Sequence, residues 1–245
     1  MVKSDKEKAR KACKHWGSVI IYSRGSSGMN PVTQKKRGRT MRRCLIIAGG
    51  EYAPIGPMRE DDFVIACDRG CGYAARDGIT PDLIIGDFDS YSGALPENVP
   101  VERLPVEKDD TDTMHAVKYA IARGFDEVRL CSALGGSLDH LLANLQTLHY
   151  AAAAGVRATA GDERTEIMVC TPGDYRIEAR EGWYLSLFAL TDEVAGLTIR
   201  GAKYTLTDAV MSSGFPIGVS NEFKGDAEIS FRSGVAAVIL CKRGT

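Results

Sequence analysis

Several features are missing from the 245-residue sequence, and each absence excludes a class of protein. No run approaches the roughly 18 consecutive apolar residues of a membrane-spanning helix. No apolar segment of about 7–15 residues with a cleavage site follows the basic N-terminus, so we expect no secretory signal. The seven cysteines are odd in number and form no C-x-x-C pair. We therefore expect reduced thiols in a cytoplasmic protein, not a disulfide or zinc framework.

The two common nucleotide-binding motifs are also absent. The sequence contains neither G-x-x-x-x-G-K-S/T nor G-x-G-x-x-G, so neither the P-loop nor the dinucleotide fingerprint applies. Basic residues are concentrated at the N-terminus, where residues 1–40 contain eleven Lys or Arg and two acidic residues. A basic arm can bind nucleic acid, but Met41 opens the first well-formed strand. We interpret residues 1–40 as a disordered leader, or as the result of a start codon placed too early, and expect no nucleic-acid partner.

A repeated succession of apolar runs, each ending in glycine, aspartate or serine, follows Met41. The runs cover residues 44–48, 63–67, 83–85 and 127–131, and helical spacing with a closing glycine covers 111–124 and 138–155. Alternating strands and helices predict a three-layer α/β domain with a parallel sheet over residues 41–163. Such sheets bind ligands beyond the carboxyl ends of their strands.

The secondary-structure pattern of the sequence changes after about residue 165. Short β-rich runs at 165–171, 183–190, 227–231 and 236–241 are separated by turn signals, and no long helical pattern intervenes. This pattern predicts a smaller all-β sandwich domain over residues 164–245.

Four aspartates fall at the predicted binding edge of the α/β domain. Asp68, Asp87 and Asp89 follow apolar strands directly, and Asp112 lies at a helix start behind Thr111. Turn and capping chemistry explains each motif alone as well as function does. Together the carboxylates repel one another unless a cation neutralises them. Oxygen ligands without a His or Cys cluster favour Mg²⁺, and hence a phosphate-bearing substrate.

Two glycine pairs lie at the same edge. Gly49-Gly50 and Gly135-Gly136 follow predicted strands and can bring backbone amides close to phosphate. The signal is weak by itself, because a tight turn explains a glycine pair equally well.

Five short motifs in this order resemble the thiamine pyrophosphokinase family over about residues 43–241. They are Asp68-Arg-Gly70, Gly86-Asp-Phe-Asp-Ser90, Lys108-Asp-Asp-Thr-Asp112, Gly135-Gly-Ser-Leu-Asp-His140 and Ser220-Asn-Glu222. Residues 196–204 are similar to the G-L-x-x-x-G-x-x-Y/W stretch of that family. The resemblance implies that the first domain holds ATP and Mg²⁺, and that thiamine lies between the domains at a homodimer interface.

The resemblance also implies roles for individual residues. Asp87, Asp89 and Asp112 correspond to the metal-coordinating carboxylates, and Asp68 and Asp139 complete the catalytic acids. The expected nucleotide or substrate contacts are Gly49, Gly50, Arg69, Lys108, Thr111, Gly135, Gly136, Ser220 and Asn221. The implied reaction is attack of the thiamine hydroxyl on the β-phosphorus of ATP, with AMP leaving and either Asp112 or Asp68 accepting the proton.

Two departures from the family pattern stand out. Many relatives have arginine after the second glycine pair, where this chain has Ser137, so Lys108, Arg69 or another arginine must replace that charge. Neither tryptophan is placed to stack on thiamine; Phe223 or Phe231 can supply a ring, although both fit the core better. For His140 we expect a hydrogen-bonding or structural role, not a catalytic one.

Two other functions remain open. The strand with D-x-D at 83–89 superficially matches a haloacid-dehalogenase-like phosphatase, in which Asp87 would be the nucleophile. That class predicts neither the 108–112 motif nor the β-rich domain. The second alternative is a relative that binds thiamine or nucleotide but turns it over weakly.

Overall fold

The structure is a computed structural model that describes residues 22–25, 28–31, 35–36, 39–107 and 109–244. Four short strands come first: β1 (Tyr22–Gly25) pairs antiparallel with β2 (Gly28–Pro31), and β3 (Lys35–Lys36) with β4 (Arg39–Thr40). Most of residues 1–40, predicted to be a leader, lies outside the described residues. No helix in the described ranges is long and apolar enough to cross a membrane.

The chain divides into two compact units, and the first contains Arg42–Glu163. Its strands are β5 (Arg43–Ile47), β6 (Phe63–Cys67), β7 (Leu83–Gly86), β8 (Val101–Arg103), β9 (Glu127–Cys131) and β10 (Arg157–Gly161). All neighbouring pairs are parallel, in the order β10-β9-β5-β6-β7-β8. The helices are α1 (Gly70–Arg76), α2 (Asp112–Ala122) and α3 (Leu138–Ala153). The predicted α/β class is confirmed.

Local sequence explains where the longer elements begin and end. All five residues of β5 are buried, as expected for a continuous apolar run in a parallel sheet. Thr111 caps α2 by accepting a hydrogen bond from the Met114 amide at 3.1 Å. Gly124 and Gly155, at φ 73° and 77°, follow the ends of α2 and α3 in the left-handed conformation that glycine tolerates. Both predicted helices are therefore confirmed.

The second unit contains Arg164–Thr245 and is built from antiparallel strands. They are β11 (Thr165–Cys170), β12 (Gly173–Ile177), β13 (Trp183–Ala189), β14 (Glu193–Ala202), β15 (Leu206–Ser212), β16 (Asn221–Phe231) and β17 (Ala236–Lys242). The start of β16 pairs with β13, and its later part pairs with β12 and β14. The all-β class is confirmed, and β12, β14 and β15 are strands that the sequence patterns did not predict.

One apolar cluster forms the core of the second unit. Phe231 is 4% exposed and stacks on Tyr175 with ring centroids 6.0 Å apart. Phe223 is partly buried and packs against the same cluster. Phe231 is thus a core residue, whereas Phe223 packs against the core and stays partly exposed.

Candidate active site

Three carboxylates converge at the carboxyl edge of the parallel sheet. Asp68 follows β6, and Asp87 and Asp89 follow β7, so neighbouring strands bring them together. One oxygen from each lies within 4.8 Å of the others. We call Asp68, Asp87 and Asp89 the three-carboxylate group. Like charges this close repel one another, and a bound cation would relieve the repulsion.

The environment of Asp68 points to a missing partner. Asp68 is 9% exposed, and Ser90 Oγ donates a hydrogen bond to its Oδ2. Its Oδ1 is buried and has no hydrogen-bond partner among the described residues. A buried carboxylate oxygen without a partner is costly. The three-carboxylate group, with oxygen ligands and this open Oδ1, therefore fits a hard divalent cation such as Mg²⁺.

The thiols on either side of Asp68 add no negative charge to the group. Burial is the main cause that raises the pKa of Cys67 well above its ordinary value, and Asp112 raises it further. Burial likewise raises the pKa of Cys71 to about 11. Both side chains are therefore neutral thiols near neutral pH. No disulfide joins any of the six cysteines that the structure describes.

The 108–112 motif is only partly described, because Lys108 lies outside the described residues. Thr111 is occupied as the helix cap, and Asp112 is half-buried in the first turn of α2. The Asp112 carbonyl accepts a hydrogen bond from Cys67 Sγ at 3.7 Å, which places this turn beside the end of β6. Asp112 is nevertheless not a member of the three-carboxylate group.

The two glycine pairs belong to loops that touch each other. The Gly50 amide donates to the Ser132 carbonyl at 2.9 Å, and a Cβ at Gly50 would lie 2.6 Å from that oxygen. Gly135 and Gly136 have φ of 75° and 77°. A Cβ at Gly135 would meet Glu51 Oε2 at 2.5 Å. Backbone geometry therefore favours glycine at Gly50, through its close approach to Ser132, and at Gly135 and Gly136, through their positive φ.

The start of α3 forms a small polar network. Ser137 Oγ and His140 Nδ1 are 2.7 Å apart, and the His140 amide donates to Asp139 Oδ1 at 2.9 Å. The hydrogen bond from Ser137, followed by that of the His140 amide, holds the pKa of Asp139 below its ordinary value. The hydrogen-bonding role predicted for His140 is confirmed. Asp139 is exposed and lies outside the three-carboxylate group.

Two arginines bring positive charge to the same edge. Arg69 is exposed and lies beside Gly49, where an added Cβ would be 3.4 Å from the Arg69 Cβ. Arg103 ends β8 opposite Gly86, and its guanidinium lies 4.9 Å from the centre of the Phe88 ring. Neither arginine forms an ion pair with any residue that the structure describes. Sequence reasoning missed Arg103 because β8, with three residues and little burial, has no detectable pattern.

The Ser220–Asn221 motif of the second unit holds an exposed aromatic ring in place. Ser220 has φ of 56°, and its amide donates to Ser186 Oγ at 2.9 Å. Asn221 is 6% exposed; its Oδ1 accepts from the Tyr204 amide at 2.9 Å and its Nδ2 donates to the Tyr204 carbonyl at 2.7 Å. The Tyr204 side chain is 61% exposed. The Asn221 side chain is thus engaged by the Tyr204 backbone, and Tyr204 is a candidate ligand contact that the sequence motifs did not assign.

Comparison with known proteins decides the family. The catalytic-domain model of thiamin pyrophosphokinase matches residues 57–160, and the vitamin B1 binding-domain model of the same family matches residues 174–236. The chain belongs to the thiamine pyrophosphokinase family. It is therefore an enzyme, a transferase of the thiamine pyrophosphokinase type.

Individual thiamine pyrophosphokinases agree with the family models. The Bacillus subtilis enzyme is 29% identical over 81% of this chain and 98% of its own length. A crystal structure from B. subtilis superimposes with a TM-score of 0.73 at 26% identity, covering 82% of this chain and 99% of that one. A family protein from Enterococcus faecalis gives a TM-score of 0.68 at 32% identity, covering 83% and 100%.

Family membership decides between the two reaction classes that the sequence left open, in favour of a thiamine pyrophosphokinase over a phosphatase. The phosphatase alternative rested on 83–89 alone, whereas the two models match both units in the family order. The three-carboxylate group and both glycine pairs fall at one edge of the first unit. Ser220, Asn221 and Tyr204 lie within the range that the vitamin B1 binding-domain model matches.

Proposed function

We propose that this chain transfers the β,γ-diphosphate of ATP to the hydroxyl of thiamine, giving thiamine diphosphate and AMP. The observation that carries the proposal is the three-carboxylate group with the unpartnered Oδ1 of Asp68, inside the range matched by the catalytic-domain model. Such a group is expected where a divalent cation meets a polyphosphate.

The first unit would bind and orient the nucleotide. The three-carboxylate group would hold Mg²⁺, with Asp112 close by at the start of α2. When bound, Mg²⁺ would neutralise charge on the phosphate oxygens. The amides of the two glycine loops would contact phosphate, and the guanidiniums of Arg69 and Arg103 would supply the positive charge that Ser137 lacks.

The proton of the thiamine hydroxyl needs an acceptor. Asp68 belongs to the three-carboxylate group, with Oδ2 bonded to Ser90 and Oδ1 without a hydrogen-bond partner among the described residues, so we assign it to the cation. Asp112 lies outside that group, and we propose that it accepts the proton. A correctly placed general base contributes a factor of roughly 10² to 10⁴ in rate. Asp139, held ionised by Ser137, would add negative charge that attracts the thiamine cation to the edge.

The second unit would bind thiamine. The exposed ring of Tyr204 offers a π-face to the cationic, aromatic vitamin, and Asn221 fixes the backbone that carries it. Ser220 adjoins this segment. The exposed apolar side chains of Phe215, Ile217 and Val219 support our proposal that the enzyme is a homodimer. Sedimentation of the full chain, with Phe215→Ser expected to shift it toward monomer, tests the dimer.

We include the finer architecture and the location in the same proposal. The domain limits 41–163 and 164–245, the three-layer form of the first and the sandwich form of the second are the arrangement that we propose. A cytoplasmic location accords with buried thiols that form no disulfide among the described cysteines.

The direct test is AMP formation from ATP and Mg²⁺, with and without thiamine, for the wild type and Asp87→Ala. We expect AMP and thiamine diphosphate in equal amounts, only with thiamine, and loss of both in the variant. Release of ADP or phosphate independent of thiamine contradicts the proposal. Binding of thiamine and ATP without AMP release also contradicts it.

A further inference from the structure

Ser90 connects the two strand ends that supply the three-carboxylate group. It follows Asp89 on the loop after β7, yet its hydroxyl donates to Oδ2 of Asp68, which follows β6. Among the described residues, this is the hydrogen bond that the Asp68 carboxylate accepts. Ser90 is therefore placed to hold two parts of one site in register.

The backbone around Ser90 is shaped for this approach. The Asp68 amide donates to the Ile85 carbonyl at 3.1 Å. A Cβ at Gly86 would lie 3.2 Å from the Asp68 nitrogen and 3.3 Å from its Cα, so glycine lets the end of β7 come this close. Asp68 and Phe88 both have left-handed backbone conformations, with φ of 44° and 61°. Such conformations persist when surrounding contacts determine them.

The hydrogen bond also decides which oxygen of Asp68 is open. A carboxylate can rotate and can offer either oxygen, or both, to a cation. With Oδ2 engaged by Ser90, the orientation of the group is fixed, and the buried Oδ1 is the oxygen left without a protein partner. Hydrogen-bond partners of metal ligands act in this way in other metal sites, and removing them typically weakens metal affinity about 10- to 100-fold.

We infer that Ser90 is a positioning residue that orients Asp68 for the divalent cation of the diphosphate transfer. The inference rests on the proposed function only in taking this group as the metal site of the reaction. Ser90 itself is exposed, so its removal leaves no buried cavity and should act on metal binding more than on folding.

The test is a Mn²⁺ titration of the full chain, without nucleotide, followed by electron paramagnetic resonance. We expect Ser90→Ala to weaken Mn²⁺ binding by about 10-fold, and Ser90→Thr, which keeps the hydroxyl, to stay within about 2-fold of the wild type. Ser92→Ala is the matched control, because Ser92 is an exposed serine on the same loop and should bind Mn²⁺ like the wild type. In turnover, Ser90→Ala should raise the Mg²⁺ concentration for half-maximal rate while largely keeping the rate at saturating Mg²⁺.

Several results overturn the inference. The inference fails if Ser90→Ala binds Mn²⁺ with wild-type affinity, or if Ser90→Thr loses as much affinity as Ser90→Ala. It also fails if the wild type binds no Mn²⁺. A metal-free melting temperature that falls in Ser90→Ala as much as in core variants shows a structural role instead. If the Mn²⁺ affinities follow the expected order but no thiamine-dependent AMP forms, the positioning role stands and the proposed function fails.

Discussion

The substitution Asp68→Asn removes one negative charge from the three-carboxylate group while keeping a side-chain oxygen that can accept the Ser90 hydrogen bond. Two unit charges 4.8 Å apart repel by about 1 kcal/mol in water and by about 3.5 kcal/mol at an effective dielectric constant of about 20. Asp68 is nearly buried but Asp89 is exposed, so the true repulsion lies between these limits. The folded, metal-free protein should therefore gain stability when this charge is removed.

The net gain is smaller than the sum of the two repulsions. Replacing the charged acceptor by a neutral amide weakens the Ser90 hydrogen bond by about 1 kcal/mol. We expect a net increase of about 1–2 kcal/mol in the free energy of unfolding without metal. For a chain of this size that corresponds to a melting temperature about 2–8 °C higher. The wild type should gain about 2.7 kcal/mol from Mg²⁺ at 100 times its dissociation constant, and the variant far less.

The assay is thermal unfolding with EDTA and then with Mg²⁺, for the wild type, Asp68→Asn and Asp61→Asn. Asp61 is the matched control, because it is an exposed aspartate at the opposite end of the strand that Asp68 follows. A melting temperature that falls in EDTA for Asp68→Asn refutes the repulsion argument. If Mg²⁺ stabilises Asp68→Asn as much as it stabilises the wild type, the assignment of Asp68 as a ligand of the cation is refuted.

Three further results are expected from other parts of the molecule. Gly70→Ala should lower the free energy of unfolding by about 3 kcal/mol or more, because its Cβ would lie 2.1 Å from the Ile47 carbonyl oxygen. Gly225→Ala is the control, since a Cβ there meets nothing within 4 Å. Denaturant unfolding compares the two variants. Tyr204→Ala should raise the KM for thiamine about 10-fold without a matching loss of kcat, and Tyr204→Phe should not. The Ala179 amide, and then Arg176, hold the pKa of Asp226 below its ordinary value. Its contribution to stability is present above the unfolded pKa near 4 and is lost as pH falls toward the lower folded pKa, so Asp226→Asn should flatten the decline in melting temperature below about pH 5.

The parts of the fold that the sequence predicts well are those with a strong local pattern. The buried strands β5, β6, β7 and β9 are continuous apolar runs, and the two long helices have helical spacing with a cap or a closing glycine. Because parallel strands end at one edge, the convergence of Asp68 with Asp87 and Asp89 also follows from the pattern. In these cases a short stretch of chain contains the whole physical cause of the structure.

The missed features depend on contacts between distant residues. The three-residue strand β8 forms because Arg103 pairs with Gly86, and nothing within its own sequence indicates a strand. Tyr204 is held by the side chain of Asn221, 17 residues away. The link from Ser90 to Asp68 spans 22 residues and requires a backbone turn at each end. Such contacts decide which side chains face a ligand, and local periodicity carries no information about them.

Backbone strain is concentrated where the chemistry is proposed. Five non-glycine residues have positive φ among the residues described, and three of them, Asp68, Phe88 and Ser132, come directly after β6, near the end of β7 and after β9. Left-handed backbone costs roughly 1–3 kcal/mol at such residues. In return, each turn directs the chain back across the end of the sheet, so that Asp68 faces Ser90 and the Ser132 carbonyl meets the Gly50 amide. Glycine at Asp68 or Phe88 would relieve the strain, but Asp68→Gly deletes a carboxylate and Phe88→Gly deletes the ring under Arg103. The strained residues are retained because the same positions must also supply side chains.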